Sequence, residues 1–175
     1  MVPGLASPMQ LWTQFYAAIG TASAALLGLL FVAASINVSA ALGTEAAVSR
    51  RLTEQAFQNY LAVMMVAFLA LFPGIEATTF GLAVLITTAS WAIWVIIRVC
   101  QTLAHSLQRR SWIYSLRRHV LSLIGFGMLL VSAFRMALNR GTSYNWVAAA
   151  TMVLLFSATR ASWELLRRIA NRSSG

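Results

Sequence analysis

The sequence predicts an all-α fold: a polytopic membrane helix bundle with five transmembrane helices, the N-terminus outside and the C-terminus inside. Three observations lead there. Of 175 residues, 59% are hydrophobic and only 10% charged, against about 25% charged in an ordinary soluble domain. The apolar residues fall into five blocks, each about as long as, or longer than, the roughly 20 residues that a helix needs to cross about 30 Å of hydrocarbon. Arginines gather at alternate ends of those blocks, as expected when positive loops are held on the cytoplasmic side.

The blocks cover about residues 11–38, 57–77, 80–100, 120–138 and 146–166 and leave no stretch for a separate soluble domain, so residues 1–175 read as one transmembrane domain. They lack the alternating pattern of barrel strands, and in lipid a helix satisfies its own backbone hydrogen bonds. The leader before the first block has no basic residue. A secretory signal carries a basic n-region, so this block is expected to be a retained helix with an exported N-terminus.

In the first block, every seventh residue gives Gln14, Thr21, Gly28 and Ser35, and Ala17, Ala18, Ala24, Ala25 and Val32 add mostly small side chains to the same stripe. A seven-residue repeat favours left-handed helix packing, and Gly20, Ala24 and Gly28 form a small-xxx-small pattern that allows backbones to approach closely. The stripe is therefore a packing seam, or, in an oligomer arranged around an axis, a narrow pore lining with Asn37 near its inner end. The bulky Leu27 and Leu30 are expected on the opposite, exposed side.

The second and third blocks meet at Pro73-Gly74, a helix-ending pair that suggests antiparallel neighbours. Thr87, Thr88 and Ser90 fall near the middle of the third block, where hydroxyls usually bond back to their own helix. Arg109, Arg110, Trp112, Tyr114, Arg117 and Arg118 then crowd one connection. Aromatics interleaved with arginines suit a loop at the lipid headgroups, with guanidinium groups on anionic lipid.

The loops after the first and third blocks and the tail hold most of the arginines, whereas Arg140 is the base of the last outer loop. The fifth block is interrupted by Arg160. A four-span alternative would lay that block flat, but Arg160 can snorkel to the inner interface, with Glu164 one turn further on.

Charges at membrane depth are the second lead. Glu76 and Arg135 are both placed near the outer ends of their helices, as a candidate outer charge site. Glu54, Arg98, Arg160 and Glu164 share a depth on the inner side, as a candidate inner network. Either set can be structural or can serve ion selectivity.

Catalysis has little material. Aspartate is absent, the acids are Glu45, Glu54, Glu76 and Glu164, and Cys100 is the lone cysteine. His105 and His119 lie in or beside the basic connection, and no phosphate loop, HExxH or Cys-x-x-Cys is present. No enzyme activity, cofactor or metal is expected. All thirteen basic residues are arginines placed mostly at block ends, which makes anionic lipid, and not nucleic acid, their partner.

Two classes of function follow. One is a homo-oligomeric ion channel or small transport protein with the first helix lining the path. The other is a non-conducting accessory or scaffold protein that binds a partner membrane protein or anionic lipid. Arginine-only basic usage and high alanine point to a bacterial inner membrane.

Overall fold

The computed structural model is all-helical, with five helices and no strand among the described residues, which are 12–36, 47–105, 109–140 and 144–173. α1 spans Thr13–Ile36, α2 Ala47–Leu71, α3 Ala77–His105, α4 Arg109–Ala137 and α5 Tyr144–Ser173. Even α1, with 24 residues, extends about 36 Å at 1.5 Å per residue. Two stretches, α1 and Val120–Ala137 of α4, are also apolar enough to cross a membrane, and Ala77–Trp91 of α3 is a shorter apolar run. The others are diluted by polar residues. α2 opens with Arg50, Arg51, Glu54 and Gln55, and the apolar run of α5 is interrupted by Arg160.

Two helices begin well before the apolar blocks that announce them. α2 starts at Ala47 instead of Phe57, and α4 starts at Arg109 instead of Val120. The basic segment from Arg109 to Arg118, expected as a loop, is therefore the first turns of α4. Hydropathy marks where apolar side chains start, whereas the backbone leaves the helix only where propensity fails. Residues 109–118 contain neither glycine nor proline, and arginine is a good helix former. At the start of α2, Arg50 Nε lies 3.2 Å from Glu54 Oε1 one turn on, a pairing that supports an exposed helix by a few tenths of a kcal/mol.

The helix ends have explicit chemistry. Ile75 N donates to Phe72 O at 3.4 Å across Pro73-Gly74, and Gly74 has φ 74°. Proline followed by a positive-φ glycine is the signature of a type II turn. α4 stops in a Schellman motif: Arg140 N donates to Arg135 O and Asn139 N to Met136 O, both at 3.0 Å, with Asn139 left-handed at φ 52°. Asparagine is one of the few side chains that accept that conformation.

The chain divides into two compact units, one of Thr13–Leu71 with Leu154–Gly175, the other of Phe72–Val153. In the first, α1 packs on α2; in the second, α3 packs on α4.

Within the first unit the buried positions of α2 include Leu52, Ala56, Asn59, Val63, Val66 and Ala70, an alternation of four and three that makes a heptad seam. The facing seam of α1 is Tyr16, Ile19, Gly20, Ser23 and Leu30. Leu30, expected at the surface, is 6% exposed in a cluster with Leu52, Ala56, Tyr60, Ala158, Ala161 and Leu165, and Leu27 packs against it. The sequence repeat has the right period but a different phase. Tyr16 and Gln14 are two positions apart, which puts them about 160° apart around the helix, and the bulkier side supplies the volume that a close-packed interior needs.

Two glycines set the closest approaches. A Cβ built at Gly20 would lie 2.9 Å from Ala67 Cβ; one at Gly81 would lie 2.6 Å from Met136 Cβ, 2.8 Å from Ala137 N and 3.0 Å from Ala133 O. At Gly28 nothing lies within 4 Å. Gly81→Ala must push α4 backbone away from α3 and is expected to cost about 1–3 kcal/mol. Gly28→Ala should be neutral or stabilising by up to about 1 kcal/mol, since alanine is the better helix former. Thermal unfolding of the two variants in the same detergent checks this, and a Gly81→Ala protein as stable as wild type would refute the tight crossing.

Candidate functional site

The first candidate is the outward face of α1. Gln14, Thr21, Gly28 and Ser35 are all exposed, as are Ala17, Ala18, Ala24 and Ala25, while Asn37 lies outside the described residues. Between Thr13 and Gly28 no large apolar side chain of α1 is exposed; further along, Leu29, Phe31, Val32 and Ile36 are. The other helices do show bulk on their exposed faces, including Phe57 and Phe68 of α2, Leu82 and Ile86 of α3, Val131 and Phe134 of α4, and Phe156 of α5. In a bilayer, small residues let helix backbones approach and so mark helix contacts. Ser35 Oγ donates to Val32 O at 2.9 Å, inside its own helix.

The second candidate lies inside the first unit. Ser23 of α1 is fully buried and its Oγ donates to Tyr60 O of α2 at 2.7 Å. The Tyr60 hydroxyl reaches α5, 3.4 Å from Thr159 Oγ1 and 3.5 Å from Ser162 Oγ. Thr159 and Ser162 send their own protons to Leu155 O at 2.9 Å and Ala158 O at 3.0 Å, so their oxygens are left to accept from Tyr60. Gln55, Asn59 and Ser157 are buried in the same unit. One tyrosine thus ties three helices through its carbonyl and its phenol. The group holds hydroxyls and amides, which can fix helices or solvate a small polar guest.

The expected second span starts at Phe57 and so leaves out Gln55, and no local pattern links Tyr60 to Ser23, Thr159 or Ser162, which lie 37, 99 and 102 positions away. The available signal was the spacing of Leu52, Gln55, Ala56 and Asn59, already helical before the apolar run begins.

Glu76 is exposed at the start of α3, where its carbonyl accepts from Phe80 N at 2.8 Å. A carboxylate there sits at the positive end of the helix dipole. Arg135 is exposed in the last turn of α4, where a cation meets the negative end. Among the described residues neither takes part in an ion pair. On the inner set, Glu54 pairs with Arg50, Arg160 is exposed and Glu164 half-buried on α5. Arg98 is in α3, and Arg109, Arg110, Trp112, Tyr114, Arg117 and Arg118 are in α4; their side chains lie outside the described residues. Thr87 donates to Ala83 O and Val84 O at 2.9 and 3.0 Å, and Ser90 to Thr87 O at 2.8 Å, the local pattern expected of them. Among the described residues no group of three metal-binding side chains comes together.

Interhelical hydrogen bonds in membrane proteins average about 0.6 kcal/mol, with a maximum near 1.7. Ser23→Ala is expected to fall in that range, because the 2.7 Å bond is short and fully buried. Tyr60→Phe should cost less, since its hydroxyl contacts are 3.4 and 3.5 Å long. Unfolding titrations of both variants test the ordering, and a Tyr60→Phe cost well above that of Ser23→Ala would reverse it.

Compared with protein-family models, curated proteins and solved structures, the chain matches none.

Proposed function

We propose that this chain is a multi-pass protein of a bacterial inner membrane, crossing the bilayer five times with the N-terminus outside. It assembles as a homo-oligomer around α1 and passes an ion or small solute along the line Gln14, Thr21, Gly28 and Ser35. What carries this reading is the exposed face of α1, small and mildly polar from Thr13 to Gly28 while the other helices expose bulky apolar side chains. A face of that kind is poorly matched to lipid and well matched to other helices. Its hydroxyl and amide groups would wet a narrow path if several copies surrounded an axis. Glu76, an exposed acid at a helix start, is the outer residue suited to favour cations over anions.

A second reading is favoured by Ser35, whose hydroxyl is already satisfied by Val32 O. On that reading the face is a dry seam against another membrane protein, and the chain is a non-conducting accessory or scaffold that also holds anionic lipid through the basic start of α4.

The two readings separate on water. In a Cys100→Ser background, a single cysteine replaces Thr21, and control cysteines replace Phe68 and Ile86, both bulky and exposed. In intact oligomers the pore reading expects a membrane-impermeant thiol reagent to modify position 21 and to spare the controls. Thr21→Ala is expected to change flux into liposomes without changing oligomer size. Silence at position 21 in folded protein, with no flux under any gradient tried, removes the pore and leaves the seam.

A further inference from the structure

One face of α5 carries aromatic and basic side chains in turn. Phe156, Arg160, Trp163 and Arg167 are all exposed, Trp163 by 65% and Phe156 by 63%. At 100° per residue the four fall within an arc of about 60°. Arg160 and Arg167 stand seven positions apart, about 10 Å along the axis, with the indole between them. Among the described residues neither arginine takes part in an ion pair. The one acid of α5, Glu164, is half-buried and falls outside that arc.

This face therefore presents two positive charges on either side of an indole, with a phenyl ring on the side toward the apolar part of the helix. Each part has a counterpart in one ligand. Guanidinium groups match phosphate oxygens in paired hydrogen bonds, tryptophan settles at the depth of lipid headgroups, and Phe156 suits an acyl chain. A zwitterionic lipid has the phosphate too, but its ammonium group would face two arginines with no exposed acid on the arc to receive it. We propose that this face binds an anionic phospholipid, the phosphate lying between Arg160 and Arg167, Trp163 at headgroup level and the chain along Phe156. The proposal rests on the membrane reading of α5 but not on the pore or the oligomer.

The test uses the full chain in vesicles with phospholipids brominated on the acyl chain, which quench nearby tryptophan. Subtracting the emission of Trp163→Phe from that of wild type isolates Trp163. The expected result is quenching by brominated phosphatidylglycerol at a lower mole fraction than by brominated phosphatidylcholine, by roughly fivefold for each arginine. Arg160→Gln with Arg167→Gln should abolish that preference, and Arg140→Gln, an exposed arginine elsewhere, should not. Equal quenching by the two lipids, or a preference that survives the double substitution, overturns the proposal while leaving α5 in the membrane. Quenching by neither lipid overturns the proposal and the five-span reading together, and would favour an acidic protein as the occupant.

Discussion

The closeness of paired helices rests on two positions that have no side chain at all. At Gly81 the nearest α4 atoms include the Ala137 nitrogen and the Ala133 oxygen, so α3 meets backbone instead of a deformable side chain. Gly20 makes a close approach of another kind, against the Ala67 methyl. Dispersion falls off steeply with separation, so moving either pair apart by the width of a methyl group would weaken contacts along the seam on both sides of the glycine. The heptad spacing of Leu52, Ala56, Asn59, Val63, Val66 and Ala70 is useful only because α1 comes close enough to meet it.

Polar residues then specify which arrangement of apolar surfaces is adopted. Leucine and alanine faces have many near-equivalent ways to pack, and in lipid there is no water to penalise the wrong ones. Tyr60 removes much of that freedom, because its carbonyl must meet Ser23 while its ring points the hydroxyl at Thr159 and Ser162. Sliding either neighbour by one turn would break one of these contacts. Buried polar groups acting as register marks are well attested in other helix assemblies, and the geometry here suits that role.

Much of the architecture was legible in the sequence, and the parts that were not share a cause. Helix content and the heptad of α1 follow from composition and period. Phase did not follow, because Gln14 and Tyr16 are both consistent with one heptad or another until the volume of the facing α2 is known. The starts of α2 and α4 are not marked by hydropathy, because helices continue through polar sequence of good propensity, such as Arg50 and Arg51 ahead of Phe57. The Tyr60 cluster was invisible for a related reason: its partners lie 37, 99 and 102 positions away, and no local pattern connects them. The outward α1 stripe was readable as a pattern, but its exposure was not.

On the proposed membrane reading, the helical start of α4 changes how the basic segment can sit in the bilayer. A loop at residues 109–118 would bring unsatisfied peptide groups, tethering it to water or headgroups. A helix satisfies most of those groups internally, so only the side chains resist movement along the bilayer normal. Long arginines tolerate several ångströms of such movement by bending toward the interface. On that reading the boundary between bilayer and water along α4 is a balance that lipid thickness and surface charge can shift, instead of a point fixed by the end of a helix.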